Sequence, residues 1–193
     1  MSQALIKVWK REFVLDRTVA AVLGVISFIA LTAAGAYIRI PLPFTPVPIT
    51  LQTFFVLLAG AVLGKRLGTL SQAGYLMIGI FGMPVFTGGL YGLARLFGPT
   101  GGYLIGFILA AAIIGKLLEG QKEAPFVKIV AIMFLGLFIL FFCGVFQLAF
   151  VLHISLNKAI LLGLMPFIPG DIIKLLAAAA IYQMIQKPAR QLF

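Results

Sequence analysis

Charged residues fall at intervals along this chain, and the stretches between them have no polar face. Thr18 to Ile38 passes 21 residues without Asp, Glu, Lys, Arg or His; Leu67 to Ala94 passes 28, Leu96 to Gly115 passes 20 and Ile129 to Leu152 passes 24. A helix at a protein–water boundary keeps a polar stripe opposite its apolar one, and these runs have none. Each supplies the roughly 20 residues with which a helix crosses about 30 Å of hydrocarbon. The pattern predicts an all-α polytopic membrane protein.

Prolines, glycines and charges mark where the helices stop. They predict six transmembrane helices, at about 16–38, 50–64, 67–82, 101–118, 125–152 and 169–186. The stretch Pro41-Leu-Pro-Phe-Thr-Pro-Val-Pro48 lacks four backbone donors and favours polyproline geometry, so it reads as a connector. Met83–Thr100 reads as a glycine-rich loop, and Ser155–Phe167 as a short helix lying in the interface. At 193 residues and 62% hydrophobic, residues 1–193 read as one membrane domain without a separate soluble module.

Charge then orients the spans. Six crossings place both ends on one side. Lys7, Lys10, Arg11, Arg17, Lys65, Arg66, Lys116, Lys122, Lys128, Lys187 and Arg190 fall there, against Arg39, Arg95 and Lys158 opposite. The basic excess belongs in the cytoplasm, so both termini are expected there. The net charge of +10 therefore reads as membrane anchoring and not as a nucleic-acid patch. Ile6–Val14 mixes apolar, aromatic and basic residues and reads as a short amphipathic segment on the cytoplasmic leaflet. The first apolar run is too long for the h-region of a signal peptide, and no cleavage is expected.

A few positions break the apolar rule on the outer side. Asp171 is the one acidic residue expected there, since Glu12, Asp16, Glu119 and Glu123 all fall on the cytoplasmic side. Lys174 follows three residues later on the same helix face. It lies about a turn inside the boundary, where a cation carries a penalty of up to roughly 3 kcal/mol unless partnered or wet. Asp171 has two open readings, a cap on the free N–H groups of a first helical turn or a carboxylate offered to a ligand. Capping does not account for Lys174. From Gly88 to Tyr103 six glycines in sixteen residues permit close backbone approach, with Gly88, Gly89, Gly101 and Gly102 as candidates to pack on a ligand. Thr100-Gly101-Gly102 opens a helix with free N–H groups, and Arg95 adds a permanent cation. Phe86, Tyr91 and Tyr103 are candidate stacking partners or members of an interfacial belt. Phe44 and Pro46 are placed to close over such a site, and Gln52 is a further polar candidate. On the first helix Ala20, Gly24, Ser27, Ala30 and Ala34 form a small-residue stripe, readable as internal packing or as a docking face.

Catalysis finds little support. Gly60 to Arg66 has the wrong spacing for a phosphate-binding loop and no Ser or Thr after Lys65, so an ATPase is not indicated. The single His153 has no partner for a metal site, and one His with one outer acid leaves little for acid–base chemistry. The lone Cys143 reads as an apolar filler.

Three blocks carry a resemblance: Gly35-Ala-Tyr-Ile-Arg-Ile-Pro-Leu-Pro-Phe-Thr-Pro-Val-Pro-Ile-Thr-Leu-Gln-Thr53, Gly98-Pro-Thr-Gly-Gly-Tyr-Leu104 and Pro166-Phe-Ile-Pro-Gly-Asp-Ile-Ile-Lys174. Together they resemble the BioY family, the biotin-specific substrate-binding (S) components of energy-coupling factor (ECF) transporters. The resemblance implies six membrane helices in a prokaryotic cell membrane and a biotin site near the outer face. It also implies a transmembrane coupling subunit and two cytoplasmic ATPases as partners, docking at small residues here matched by Ala30 and Ala34. Biotin is then cargo; no cofactor is implied. Asp171 is the first choice to accept the ureido N–H groups, while Lys174 and Arg95 are each open to the carboxylate or the ureido oxygen. The same scaffold leaves open another vitamin, or a solitary biotin carrier without ATPases.

Overall fold

The structure is a computed structural model and describes residues 17–121 and 123–193. The amphipathic segment expected at Ile6–Val14 and Lys122 lie outside the described residues. The elements run α1 (Arg17–Tyr37), β1 (Arg39–Ile40), β2 (Ile49–Thr50), α2 (Gln52–Ile80), α3 (Gly101–Leu118), α4 (Phe126–Leu152), α5 (Leu156–Gly163) and α6 (Ile168–Leu192), with single 3-10 turns at Leu93–Arg95 and Met165–Phe167. Five stretches among the described residues have the length and apolarity to cross a membrane: Arg17–Tyr37, Gln52–Ile80, Gly101–Leu118, Phe126–Leu152 and Leu156–Arg190.

The second of these is a hairpin. Gln52 donates through Nε2 to the hydroxyl of Tyr75 at 2.7 Å, yet 23 residues of straight helix would separate them by about 35 Å. The chain turns back at Gly64, whose φ of 74° and ψ of −174° lie outside the helical region. A Cβ on Gly68 would stand 2.8 Å from the carbonyl of Ala59, so the two limbs touch backbone to backbone. The helices expected at 50–64 and 67–82 are these limbs. Their bonding runs together so closely that the backbone reads as one element, Gln52–Ile80. Glu119 secures the turn by accepting the backbone N–H of Lys65 at 2.5 Å. Only glycine occupies the backbone region of Gly64 without strain, of the order of 1–3 kcal/mol for other residues. A methyl group there would also come within 2.9 Å of Glu119 Oε1. Gly64→Ala is therefore expected to lower the melting temperature in detergent by several degrees; an unchanged melting temperature would refute this account of the turn.

Helix α3 is the centre of the bundle, and small residues put it there. In hydrocarbon, helices gain little from leaving the lipid, so close packing of small side chains does the work. Gly102, Gly106 and Ala110, four apart, form one face; a Cβ on Gly106 would meet the backbone of Leu140 in α4 at 2.9 Å. Ala111 and Gly115 form another, against Gly60 and Lys65 of the hairpin. Buried Thr32, Ser71 and Gln72 join α1 to the second limb, with Thr32 Oγ1 and Gln72 Nε2 3.3 Å apart.

Three departures from the sequence reading are local. The proline-rich connector closes through a two-residue antiparallel ladder, Arg39 opposite Thr50 and Ile40 opposite Ile49, because a loop short of donors can still pair at its ends. The last helix continues past Gln186 to Leu192 with Pro188 inside it; in the final turn the loss of one N–H bond is tolerable. The α1 stripe divides: Ala20 is buried and Gly24 packs on Leu63 and Phe193, whereas Ser27, Ala30 and Ala34 are exposed.

Candidate functional site

The two loops that follow α1 and α2 fold over the N-terminal ends of α2, α3 and α6 and enclose a cavity of about 290 Å3, near the lower end of the ~300–1,000 Å3 typical of small-molecule sites. Its wall is mixed. Val47, Phe86, Leu90, Leu104, Phe107, Leu140, Phe141 and Phe167 give it an apolar waist, and Arg39, Arg95, Thr50, Thr53, Asp171 and Lys174 give it polar groups. The aromatic rings brace each other: Phe141 meets Tyr103 edge-on at 6.1 Å and lies 6.1 Å from Phe167, while Phe86 meets Tyr75 edge-on at 5.7 Å.

Asp171 is 2% exposed and lies in the first turn of α6 without capping it. Its Oδ1 instead accepts from the Thr53 hydroxyl at 2.7 Å and pairs with the Lys174 ammonium. Lys174 also donates to the Thr50 carbonyl at 2.8 Å and to Thr53 Oγ1 at 2.9 Å. All three ammonium protons are thus committed within the protein. Among the described residues Oδ2 of Asp171 makes no hydrogen bond. A buried carboxylate is affordable here because its charge is paired and hydrogen-bonded.

The two arginines differ from Lys174. Neither the Arg39 nor the Arg95 guanidinium makes a hydrogen bond or ion pair with the described residues. Lys174 cancels Asp171, which leaves the lining with two positive charges and five-donor forks on each. Chemically, the lining offers a carboxylate acceptor, threonine hydroxyls, apolar and aromatic surface and two anion-binding forks.

Of the residues singled out from sequence, Asp171, Lys174, Arg95, Thr100, Tyr103, Phe86, Gln52 and Pro46 line this cavity. Gln52 is spent on bracing, since its Oε1 accepts from Thr87 at 3.0 Å and its Nε2 donates to Tyr75, which in turn donates to the Val85 carbonyl at 3.1 Å. Tyr103 is similarly a wall: its hydroxyl donates to the Gly163 carbonyl at 2.7 Å. Gly88, Gly89, Gly101, Gly102, Tyr91 and Phe44 do not line it. Gly88 makes room for the Arg39 side chain, which a Cβ there would strike. Gly101 and Gly102 face α4 at Gln147 and Cys143. Tyr91 and Phe44 are largely exposed. Sequence reading passed over Arg39, Thr50 and Thr53. Polar side chains crowded into the head of an apolar helix, Thr50-Leu-Gln-Thr53, were the available signal.

The sequence model of the BioY family matches residues 7–191. The chain is 48% identical over 160 residues to the biotin transporter BioY of Thermotoga maritima, covering 83% of this chain and 92% of that protein. It is 42% identical over 159 residues to the probable biotin transporter BioY of Pyrococcus horikoshii, covering 82% and 91%. The crystal structure of the S-component for biotin from an ECF-type ABC transporter superposes with a TM-score of 0.84 at 31% identity, covering 91% of this chain and 95% of that one. These relatives are transporters, not enzymes. With the family pattern matched across nearly the whole sequence and close relatives aligned over most of their length, the chain belongs to the BioY family.

Proposed function

We propose that this protein captures biotin at the outer face of a prokaryotic cell membrane and delivers it across as the substrate-specificity subunit of an ECF-type ABC importer. The observation that carries the reading is the hydrogen-bonding complement of the cavity. Biotin has a ureido group with two N–H donors, an apolar thioether ring and arm, and a carboxylate at the far end. Asp171 Oδ2 accepts from the ureido group, the aromatic waist takes the ring and arm, and Arg39 and Arg95 receive the carboxylate. Lys174 and Thr53 hold Asp171 in place. This divides the charged residues between the two ends of the ligand by their free bonding capacity. A cationic vitamin such as thiamine meets two positive charges that have no partner among the described residues.

The chain crosses six times, counting the hairpin limbs separately, with both ends on the basic, cytoplasmic side. A transmembrane coupling subunit docks on α1, and two cytoplasmic ATPases hydrolyse ATP; this chain contributes no catalytic group and needs no cofactor. The exposure of Ser27, Ala30 and Ala34, together with Val19, Leu23 and Ile26, supports α1 as the docking helix. The test is calorimetric titration of the purified protein with biotin, thiamine and riboflavin, alongside native mass spectrometry of the preparation. One biotin per chain is expected, with no heat from thiamine. Saturable binding of a different vitamin and none of biotin would overturn the reading.

A further inference from the structure

Helix α4 carries one amide in its apolar stretch, and that amide lies next to the site without lining it. From Ile129 to Leu152 the helix has no charged residue, and Gln147 is its one carboxamide. A carboxamide facing hydrocarbon would lose its hydrogen bonds at a cost, so its position calls for a partner. Gln147 uses both protons of Nε2 on the loop before α3, one in a short bond to the Leu96 carbonyl and one to the Gly98 carbonyl at 2.9 Å. The adjacent glycines are what allow the approach. A Cβ on Gly101 would stand 2.5 Å from Gln147 Nε2, and one on Gly102 would stand 2.8 Å from Gln147 Cβ.

The bonded carbonyls lie on the segment between two residues of the cavity lining. Arg95 immediately precedes Leu96, and Thr100 follows Gly98 by two residues; both line the cavity, and Gln147 does not. The Arg95 side chain itself has no protein partner among the described residues, so its aim depends on its backbone. That backbone is a 3-10 turn of three residues, Leu93–Arg95, flanked by glycine at 92 and 98. Such a turn has little stiffness of its own.

We propose that Gln147 is a positioning residue for the anion-binding end of the cavity, fixing the Leu96–Gly98 backbone so that Arg95 meets the ligand's carboxylate. This rests on the biotin reading above. The prediction is a selective effect. Gln147→Leu keeps the volume and removes both donors; it should weaken biotin about tenfold, while binding of biotin carboxamide, which has no charged end, changes less than about twofold. In an Arg95→Ala background, Gln147→Leu should add nothing further for biotin. Calorimetry with both ligands, on all four proteins in the same detergent, reads this directly. Equal loss for acid and amide, full additivity with Arg95→Ala, or no loss at all would each overturn the proposal. If Gln147→Leu does not fold, Gln147→Asn, one methylene short of both carbonyls, should show the same split between the two ligands. Failure of the wild-type protein to bind biotin sinks the functional reading instead, so the two are distinguishable.

Discussion

Asp171→Asn is expected to weaken biotin binding by about 100-fold or more while the protein still folds. The change conserves shape, so the effect is one of proton inventory. An asparagine presents one acceptor and one NH2 group. If its NH2 turns towards Thr53 and Lys174, two sets of donors oppose each other and the ammonium loses its counter-charge. If it turns towards the cavity, a donor faces the ureido N–H groups. Either way a charge-assisted bond worth about 1.5–3 kcal/mol disappears and a buried donor is left over, and each 1.4 kcal/mol is about tenfold in Kd. Isothermal titration of the purified variant measures it, and the melting temperature reports the cost of disturbing the Lys174 pair. A biotin affinity equal to wild type would remove Asp171 from the site.

Arg39→Ala combined with Arg95→Ala should produce a loss of similar size by a separate route. Both guanidinium groups lack partners among the described residues, so deleting them breaks no ion pair there and the fold should be little affected. What disappears is the excess positive charge lining the cavity. Each fork held on a carboxylate is worth about 1.5–3 kcal/mol, so the double variant should bind biotin at least about 100-fold more weakly, with each single variant between it and wild type. Raising salt should weaken wild-type binding and leave the double variant nearly unaffected, because the attraction being screened has been removed. Double-variant affinity within about threefold of wild type would mean that the carboxylate is held elsewhere.

The architecture was legible where the physics is local. Uninterrupted apolar runs locate helices because hydrocarbon tolerates no unpaired backbone, and the ends of α3 and α4 fall within a residue of their expected places. The hairpin was harder to read. Gly60, Gly64 and Lys65 look like a flawed phosphate loop in one dimension, and the purpose of the glycines emerges only when the limbs fold together. At the cavity, Asp171 and Lys174 could be read because charge in an apolar helix is conspicuous. Their relation to each other could not, since Thr50 and Thr53, which absorb the protons of Lys174, lie more than a hundred residues away. Arg39 was counted only among the outer-side charges, because its neighbour Gly88 is distant in sequence. Gly101 and Gly102 at the start of α3 pointed to close approach correctly, but the surface approached is α4.

The hairpin's first limb sets a length for the transport step. It holds twelve residues between Gln52, whose side chain lines the cavity, and Leu63 at the reversal, about 18 Å of helix. The hydrocarbon layer is about 30 Å deep. In the orientation proposed above, a captured vitamin has already descended through a substantial part of the apolar layer before any partner acts. In that orientation the passage that remains is a fraction of the layer's depth and not the whole of it.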